Sequence, residues 1–141
     1  MSQREIKLRV WEFARPKDDF KGAMTYIDWA NDYSVWLLRY CFKPENKHAY
    51  AIMQFTGLKD KNGKEIYEGD VLRITGKPPY DDVIPLIRKV SFQPLAPACG
   101  FILGDAERDY IEHFGRIMKD DDTDWDVDVI GNIHENPNLL K

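Results

Sequence analysis

Histidines and acidic residues are the side chains with which this chain could perform acid–base or metal chemistry. The three histidines, His48, His113 and His134, are scattered and show neither HExxH nor HxH metal-binding spacing. The most suggestive grouping places His134 beside Glu135 and near Asn132. In an extended strand His134 and Glu135 would face opposite sides, whereas acid–base partners must converge on one point. We therefore predict no catalytic residue and no enzymatic activity.

A run of acidic residues between Lys119 and Asp124 is the second candidate for chemistry. Asp120, Asp121, Asp122 and Asp124 would supply the oxygen ligands that divalent cations prefer. Their order lacks the full EF-hand loop and its terminal glutamate, and a run of this kind is usually a solvated turn. We expect no metal site and no cofactor, and a metal-dependent hydrolase remains only a third hypothesis.

Residues 54–74 contain the densest turn signals in the chain. An Asn-Gly pair ending at Gly63 predicts a tight turn, because both residue types tolerate positive φ, and Glu68-Gly69-Asp70 predicts a second turn. We interpret Gly57, Gly63 and Gly69 as serving backbone geometry. Phosphate binding is the weaker interpretation, since their spacing matches neither the Walker pattern nor the dinucleotide fingerprint.

The sequence QFTGLKDKNGKEIYEGD in this stretch resembles the signature of the YopX family, small proteins found mostly in phages and prophages. Two further segments agree in the expected order: Glu5–Trp11 resembles the family's N-terminal strand, and Val129–Pro137 resembles its C-terminal motif. The middle of the chain, from Lys77 to Asp128, departs from the family pattern. The resemblance implies a compact, strand-rich protein from a mobile element, and it implies no reaction.

The motif positions are expected to be structural rather than catalytic. Asp70, which follows a sharp corner, is expected to accept backbone hydrogen bonds in its turn, a common use of aspartate. The full set of motif positions is Gln54, Thr56, Gly57, Leu58, Asp60, Asn62, Gly63, Ile66, Tyr67, Gly69, Asp70, Ile130, Gly131, Asn132, Asn136 and Pro137.

The composition bounds the class of protein. The chain has 141 residues, 43% of them hydrophobic and 13% aromatic, which is a globular composition in a chain long enough to bury a core. Its net charge of −4 disfavours simple binding to a nucleic-acid backbone, which needs clustered lysines and arginines. The charged N-terminus and the lack of a long apolar run predict no signal peptide and no membrane span. Cys41 and Cys99 are predicted to be buried thiols in a reducing compartment, so we expect a cytoplasmic protein.

Short apolar segments separated by glycine and proline predict a mainly β fold with a minor α component. We expect a strand-rich N-terminal part over residues 1–49. Residues 50–141 should form a small curved antiparallel sheet, or a partly open barrel similar to SH3-like barrels. The two parts could also form one continuous domain.

Alternation of apolar and charged residues predicts the first strand, with Ile6, Leu8 and Val10 facing inward and Lys7 and Arg9 facing outward. Further strands are predicted at Met24–Trp29, Tyr50–Phe55, Val71–Ile74, Ile87–Phe92, Phe101–Leu103 and Trp125–Ile130, the last continuing to His134 past a bulge near Gly131.

Two segments are ambiguous between helix and strand. Tyr33–Phe42 has the length of a short buried helix or a long strand, and its aromatic and β-branched content, with Pro44 beyond it, favours a strand. Asp105–Met118 has apolar residues at helical spacing and an aspartate that could cap its start, which favours a helix. A pair of strands is the alternative for the second segment.

Two functions fit these features. The first is a non-enzymatic phage or prophage accessory protein that binds a protein partner or its own copies, because the chain is rich in aromatic residues and lacks a catalytic grouping. The alternative is a nucleic-acid-associated accessory protein, in which Arg4, Lys7 and Arg9 together with Trp11 would grip a strand.

Overall fold

The computed structural model describes residues 5–76, 85–93, 100–104, 112–113 and 125–140. Within these ranges the protein is mainly β, which confirms the predicted fold class. The chain divides into two compact units, Met1–Phe55 and Thr56–Lys141, which we call the N-terminal unit and the C-terminal unit. The boundary lies inside a strand that starts at Tyr50, whereas the sequence placed the division just before that strand.

The N-terminal unit is a small antiparallel sheet with one helix. Its elements in chain order are β1 (Leu8–Glu12), β2 (Ala23–Tyr26), α1 (Asp32–Cys41) and the first half of β3 (Tyr50–Lys59), with short 3₁₀ helices at Pro16–Asp18 and Pro44–Asn46. Strand β1 lies between β2 and β3, so that Trp11 is opposite Met24 on one side and Ala51 on the other. The core of this unit consists of Val10, Ile27, Leu37, Leu38 and Cys41.

The strand predicted over Tyr33–Phe42 is wrong, because this segment forms α1. The side-chain oxygen of Asn31 caps the helix by accepting hydrogen bonds from the backbone N–H groups of Tyr33 (3.0 Å) and Ser34 (3.2 Å). The helix buries a stripe at i, i+3, i+4 and i+7, namely Ser34, Leu37, Leu38 and Cys41. The cap and the stripe outweigh the strand-like composition on which the prediction relied.

The inward and outward faces predicted for the first strand are also partly wrong. Ile6 precedes β1 and is 59% exposed, whereas Arg9 is only 2% exposed. Val10 and Trp11 are both buried although they are neighbours in sequence. Buried neighbours in a strand mean that both faces of the strand are covered, so β1 behaves as a central strand rather than a half-exposed one.

The C-terminal unit is a curled antiparallel sheet. It contains β4 (Glu65–Tyr67), β5 (Asp70–Gly76), β6 (Leu86–Gln93), β7 (Gly100–Leu103), β8 (Glu112–His113) and β9 (Trp125–Asn132). Five of these strands follow the order β8-β7-β6-β5-β9, and β4 pairs with β3. Their inward side chains form a second core of Ile66, Leu72, Ile74, Val90, Leu103 and Val127.

The predicted bulge near Gly131 is present in β9. Val71 of β5 is opposite Gly131, and the next residue, Leu72, is opposite Val129, so Ile130 is the extra residue on the bulged strand. The strand ends at Asn132 and does not continue to His134 as predicted, because residues 133–135 form a turn.

Several predicted features fall partly or wholly outside the described residues. Of the helix predicted over Asp105–Met118, only Glu112 and His113 are described, and they form β8 by pairing with β7, as in the strand alternative. The acidic run Lys119–Asp124 and Cys99 lie outside the described ranges. No helix among the described residues is long and apolar enough to cross a membrane.

Candidate interaction surface

The carboxylate of Asp60 closes the loop that follows β3. Its Oδ1 accepts hydrogen bonds from the backbone N–H groups of Asn62 and Lys64, both at 2.9 Å, and its Oδ2 accepts from the N–H of Val129 in β9 at 3.0 Å. Asp60 is 7% exposed. All three donors are backbone groups of the same unit, so this carboxylate holds a loop against a strand.

The three glycines of the central stretch adopt positive φ: 87° at Gly57, 81° at Gly63 and 82° at Gly69. In the predicted Asn-Gly turn only the glycine has positive φ, and its N–H donates to the carbonyl of Asp60 at 3.0 Å. Gly69 is buried, and its N–H donates to the carbonyl of Val90 at 2.9 Å. Left-handed backbone at these corners is available to glycine at no steric cost.

The side chains of Thr56 and Asp70 both bond to the backbone of β4. The hydroxyl of Thr56 donates to the carbonyl of Ile66 at 2.8 Å and accepts from the N–H of Leu58 at 3.2 Å. Asp70, which is 2% exposed, accepts the N–H of Tyr67 at 2.8 Å through Oδ2. This is the turn-closing bond that the sequence predicts for Asp70.

The grouping of Asn132, His134 and Glu135 is also a turn. The Asn132 Oδ1 accepts from the N–H groups of His134 (3.0 Å) and Glu135 (2.8 Å), and its Nδ2 donates to Glu135 Oε1 at 2.9 Å. Asn136 Oδ1 accepts the N–H of Asn132 at 3.2 Å. A Cβ atom at Gly131 would lie 2.5 Å from Asn136 Oδ1, so a side chain there would displace the amide that accepts the N–H of Asn132.

The remaining motif positions lie in a strand, in or against the core, or at the start of a 3₁₀ helix. Gln54 lies in β3 opposite Leu8, and Leu58 packs against the core formed around Ile66. Tyr67 is buried, and Pro137 begins the last 3₁₀ helix, Pro137–Leu140.

A small polar cluster around Asp128 fastens the loop after Asp60 to β9 and β5. Its carboxylate accepts hydrogen bonds from Asn62 Nδ2 (2.9 Å) and Arg73 (3.0 Å), and Lys61 Nζ lies 3.6 Å away. The hydrogen bond from Arg73 holds the pKa of Asp128 below its usual value, with the positive charge of Lys61 as a further cause. Because Asn62, Arg73 and Lys61 all contact the Asp128 carboxylate, the cluster ties the loop to the two strands at the protein surface.

Neither a metal centre nor a reactive thiol is found among the described residues. None of the described His, Cys, Asp and Glu side chains form a group of three or more that could hold a metal ion. Cys41 is buried as predicted, and burial, followed by the negative charge of Glu12, raises the pKa of its thiol from 9.0 to about 11. A neutral buried thiol is a poor nucleophile.

Helix α1 carries three stacked aromatic side chains, Tyr33, Trp36 and Tyr40, which we call the aromatic ladder. The ring centroids of Tyr33 and Trp36 are 6.0 Å apart, and those of Trp36 and Tyr40 are 5.2 Å apart. Their i, i+3, i+7 spacing puts them on a face of α1 separate from its buried stripe. Tyr33 is 65% exposed and Trp36 is 54% exposed, so the ladder is a solvent-facing aromatic surface.

The geometry of the ladder limits what it can contact. Tyr33 and Tyr40 lie one turn to either side of Trp36, with planes inclined by 27° and 19° to the indole. The indole therefore has an aromatic neighbour on each side along the helix. A row of adjoining aromatic rings with polar tips suits a protein partner.

A cavity of about 380 Å³ lies at the end of the ladder within the N-terminal unit. Its lining includes Tyr40 and Tyr50, whose rings meet edge to face with centroids 6.0 Å apart. Charged walls come from Glu12 and Glu45 on one hand and Arg15 on the other. The cavity could therefore receive a side chain that is partly apolar and carries a polar tip.

Two of the four residues suggested for nucleic-acid binding are not on the surface. Arg9 and Trp11 are buried at 2% and 8% exposure. Lys7 Nζ lies 3.1 Å from a Glu5 carboxylate and 5.5 Å from the centre of the Phe55 ring. Arg4 is outside the described residues.

The aromatic ladder was missed by sequence reasoning although its signal is present. In a strand Tyr33 and Trp36 would point to opposite faces, so a strand interpretation separates them. A helical interpretation of the same residues brings Tyr33, Trp36 and Tyr40 together. The asparagine at position 31, a strong N-cap residue, was the cue for that interpretation.

Comparison with known proteins supports the family suggested by the motifs. The model of the family described as YopX protein matches residues 7–141. The crystal structure of protein EF1440 from Enterococcus faecalis is similar, with 22% identity and a TM-score of 0.50, over 99% of this chain and 100% of that chain. The X-ray structure of protein yopX from Bacillus subtilis shows 16% identity and a TM-score of 0.47, over 96% of this chain and 98% of that chain. None of the curated proteins gives a significant match. With the family model matched from residue 7 to residue 141, the chain belongs to the YopX family.

Proposed function

We propose that this protein is a non-enzymatic accessory protein of a phage or prophage, acting in the cytoplasm by binding a protein surface through its aromatic ladder. The observation that carries the proposal is the exposure of Tyr33 and Trp36 at 65% and 54% on a well-packed helix. Exposed aromatic clusters on a folded unit are typical of protein interfaces, where tyrosine and tryptophan are enriched.

The motif residues support this proposal because, unlike the residues of the ladder, their side chains are used to build the fold. The side chains of Thr56, Asp60, Asp70 and Asn132 all bond to backbone groups of their own unit. Each such group is used to build a corner of the sheet, so the motif stretch offers no convergent set of polar groups for a substrate.

The cavity beside the ladder supplies a second contact. A partner side chain that enters it would meet the ring of Tyr40, which also ends the ladder. Mixed charges at Glu12, Glu45 and Arg15 would then fix the register of the partner, since interfacial charges contribute more to specificity than to affinity.

The proposal is tested by capturing partners from cells that carry the genetic element. Wild-type protein, Trp36→Ala and the control Lys64→Asp are used as bait, because Lys64 is exposed and lies in the other unit. A partner identified with the wild type is purified, and its affinity for each variant is measured by calorimetry. We expect Trp36→Ala to weaken binding at least about tenfold, as for a central interface aromatic, and Lys64→Asp to leave it unchanged.

Equal affinity of Trp36→Ala and wild type for that partner would refute the role of the ladder. The nucleic-acid alternative predicts salt-dependent complexes. A mobility shift assay at low salt that shows such a complex would replace our proposal with that alternative.

A further inference from the structure

Two charges of opposite sign flank Trp36 on α1. Asp32 lies in the first turn of the helix and Arg39 in its last turn, and both side chains are exposed. In the part of the chain that the structure describes, neither takes part in a salt bridge. Two exposed charges that lie beside an exposed aromatic surface and lack an ion pair with described residues are available to a partner.

The spacing of these charges is nearly symmetric about the indole. Asp32 and Arg39 are separated by two turns, so a helix with 3.6 residues per turn puts them on the same side, about 10 Å apart along its axis. Trp36 lies between them, one turn from each. A two-fold axis near Trp36 would therefore place Asp32 of one copy opposite Arg39 of the other, and this pairing would occur twice.

We propose that the aromatic ladder is a self-association surface, on which α1 packs antiparallel against α1 of a second copy. This inference rests on the proposed function of the ladder as a protein-binding surface, and it identifies the partner as the chain itself. Trp36 lies at the centre of the contact, and two ion pairs between Asp32 and Arg39 lie at its rim. An aromatic centre with a charged rim is the usual anatomy of a protein interface.

Electrostatics selects the antiparallel arrangement. Parallel packing would put Asp32 against Asp32 and Arg39 against Arg39, and it would also align the two helix dipoles. Antiparallel packing pairs opposite charges and opposes the dipoles. A second copy supplies both complementary charges by symmetry, whereas an unrelated partner would need to carry the same pattern independently.

The test exchanges these charges singly, together and in a mixture. Asp32→Lys alone puts the introduced lysine against Arg39 in both rim pairs of a homodimer, and Arg39→Asp alone puts the introduced aspartate against Asp32. Sedimentation velocity over a range of concentrations should show that each single variant raises the dissociation constant of the dimer about tenfold or more. A one-to-one mixture of the two variants should form a heterodimer, because one rim pair then joins the two native residues and the other joins the two introduced ones, and both are attractive.

The double variant Asp32→Lys/Arg39→Asp should also restore the homodimer, because each rim pair is then attractive with reversed signs. This recovery separates lost pairing from lost folding, since a misfolded chain would not recover. Lys64→Asp changes the net charge as much as Arg39→Asp does and should dimerise like the wild type. Trp36→Ala should weaken the dimer at least as much as either single exchange.

Failure of this inference can be told apart from failure of the proposed function. A wild-type protein that is monomeric at all concentrations, or a double variant with native circular dichroism that stays monomeric, overturns self-association. Ladder-dependent binding of a different protein by that monomer would still satisfy the proposed function. A dimer that is insensitive to Trp36→Ala would overturn the assignment of the ladder.

Discussion

In the C-terminal unit, Asp60 and Asn132 direct their side chains to backbone N–H groups of the same unit, whereas α1 of the N-terminal unit directs Tyr33 and Trp36 to solvent. The motif segments by which the family is identified thus build corners of a sheet. The helix with the exposed aromatic surface lies outside those motif segments. The residues that identify the fold and the residues that we propose contact a partner therefore belong to different parts of the chain, and each part needs its own test.

The largest expected effect is that of Asp60→Ala on stability. The substitution leaves the N–H groups of Asn62, Lys64 and Val129 without their carboxylate acceptor. A donor left unsatisfied costs about 1–3 kcal/mol when buried and less where water can replace the acceptor, as at the exposed Asn62 and Lys64, so we expect a loss of about 2–3 kcal/mol in the free energy of unfolding. Urea denaturation measures it, with Lys64→Ala as a control expected to change stability by less than about 0.5 kcal/mol. A loss under about 1 kcal/mol for Asp60→Ala would contradict the structural role of the motif.

Gly63→Ala should have the next largest effect. Gly63 has φ of 81°, and a methyl group placed there would meet no atom within 4 Å, so backbone strain is the cost. Left-handed backbone costs an alanine about 1–2 kcal/mol, which should appear in thermal and urea denaturation. Gly63→Asn is the matched control and should cost less, because asparagine adopts this conformation more readily. Equal losses for the two variants would mean that strain at this residue is not the cause.

Asp128→Asn should have a smaller, pH-dependent effect. It weakens the contacts with Arg73 and Lys61 on the exposed side of β5 and β9, which is worth about 0.5 kcal/mol at neutral pH. The Asp128 pKa is lowered from 3.8 in the folded protein, so its contribution is present above that pH and is lost as pH falls through the lowered value. Urea denaturation at neutral pH and again in acid below the usual aspartate pKa should show the difference between wild type and variant shrinking. A constant difference would show that the ion pairs are not its source.

Trp36→Ala should have the smallest effect on stability and yet a large effect on binding. The indole is half exposed, and alanine is a better helix former, so we expect a change within about 0.5 kcal/mol. Leu37→Ala, one residue further along and 6% exposed, should cost about 2–5 kcal/mol in the same assay. A loss at Trp36 comparable to that at Leu37 would mean that the ladder stabilises the fold rather than serving as a contact surface.

Local turn chemistry made the C-terminal unit predictable from sequence. Glycine corners and alternating residues are short-range signals, so the strands near Val71–Ile74 and Trp125–Ile130 and the bulge at Ile130 follow from them. The bond from the N–H of Tyr67 to Asp70 was predictable for the same reason. Bonds between distant segments, such as the one from the N–H of Val129 to Asp60, depend on which strands become neighbours, and the sequence alone does not show this.

The N-terminal unit was harder to predict because tertiary contacts decide its structure. The alternation in sequence predicts that Arg9 faces outward, yet it is only 2% exposed because both faces of β1 are covered. The segment that forms α1 has strand-like composition, and its helical state depends on the Asn31 cap and on a stripe packed against Val10 and Ile27. The aromatic ladder follows from that helix and was therefore missed with it.

The loop closed by Asp60 also covers part of β9, which is an edge strand of the five-stranded sheet. The N–H of Lys61 donates to the carbonyl of Val127, and Asp60 accepts the N–H of Val129, so β9 has its outward backbone groups at these positions engaged by its own chain. An unprotected edge strand recruits strands from other molecules and leads to aggregation. The same carboxylate that shapes a turn thus helps to keep neighbouring molecules from adding themselves to the sheet at high concentration.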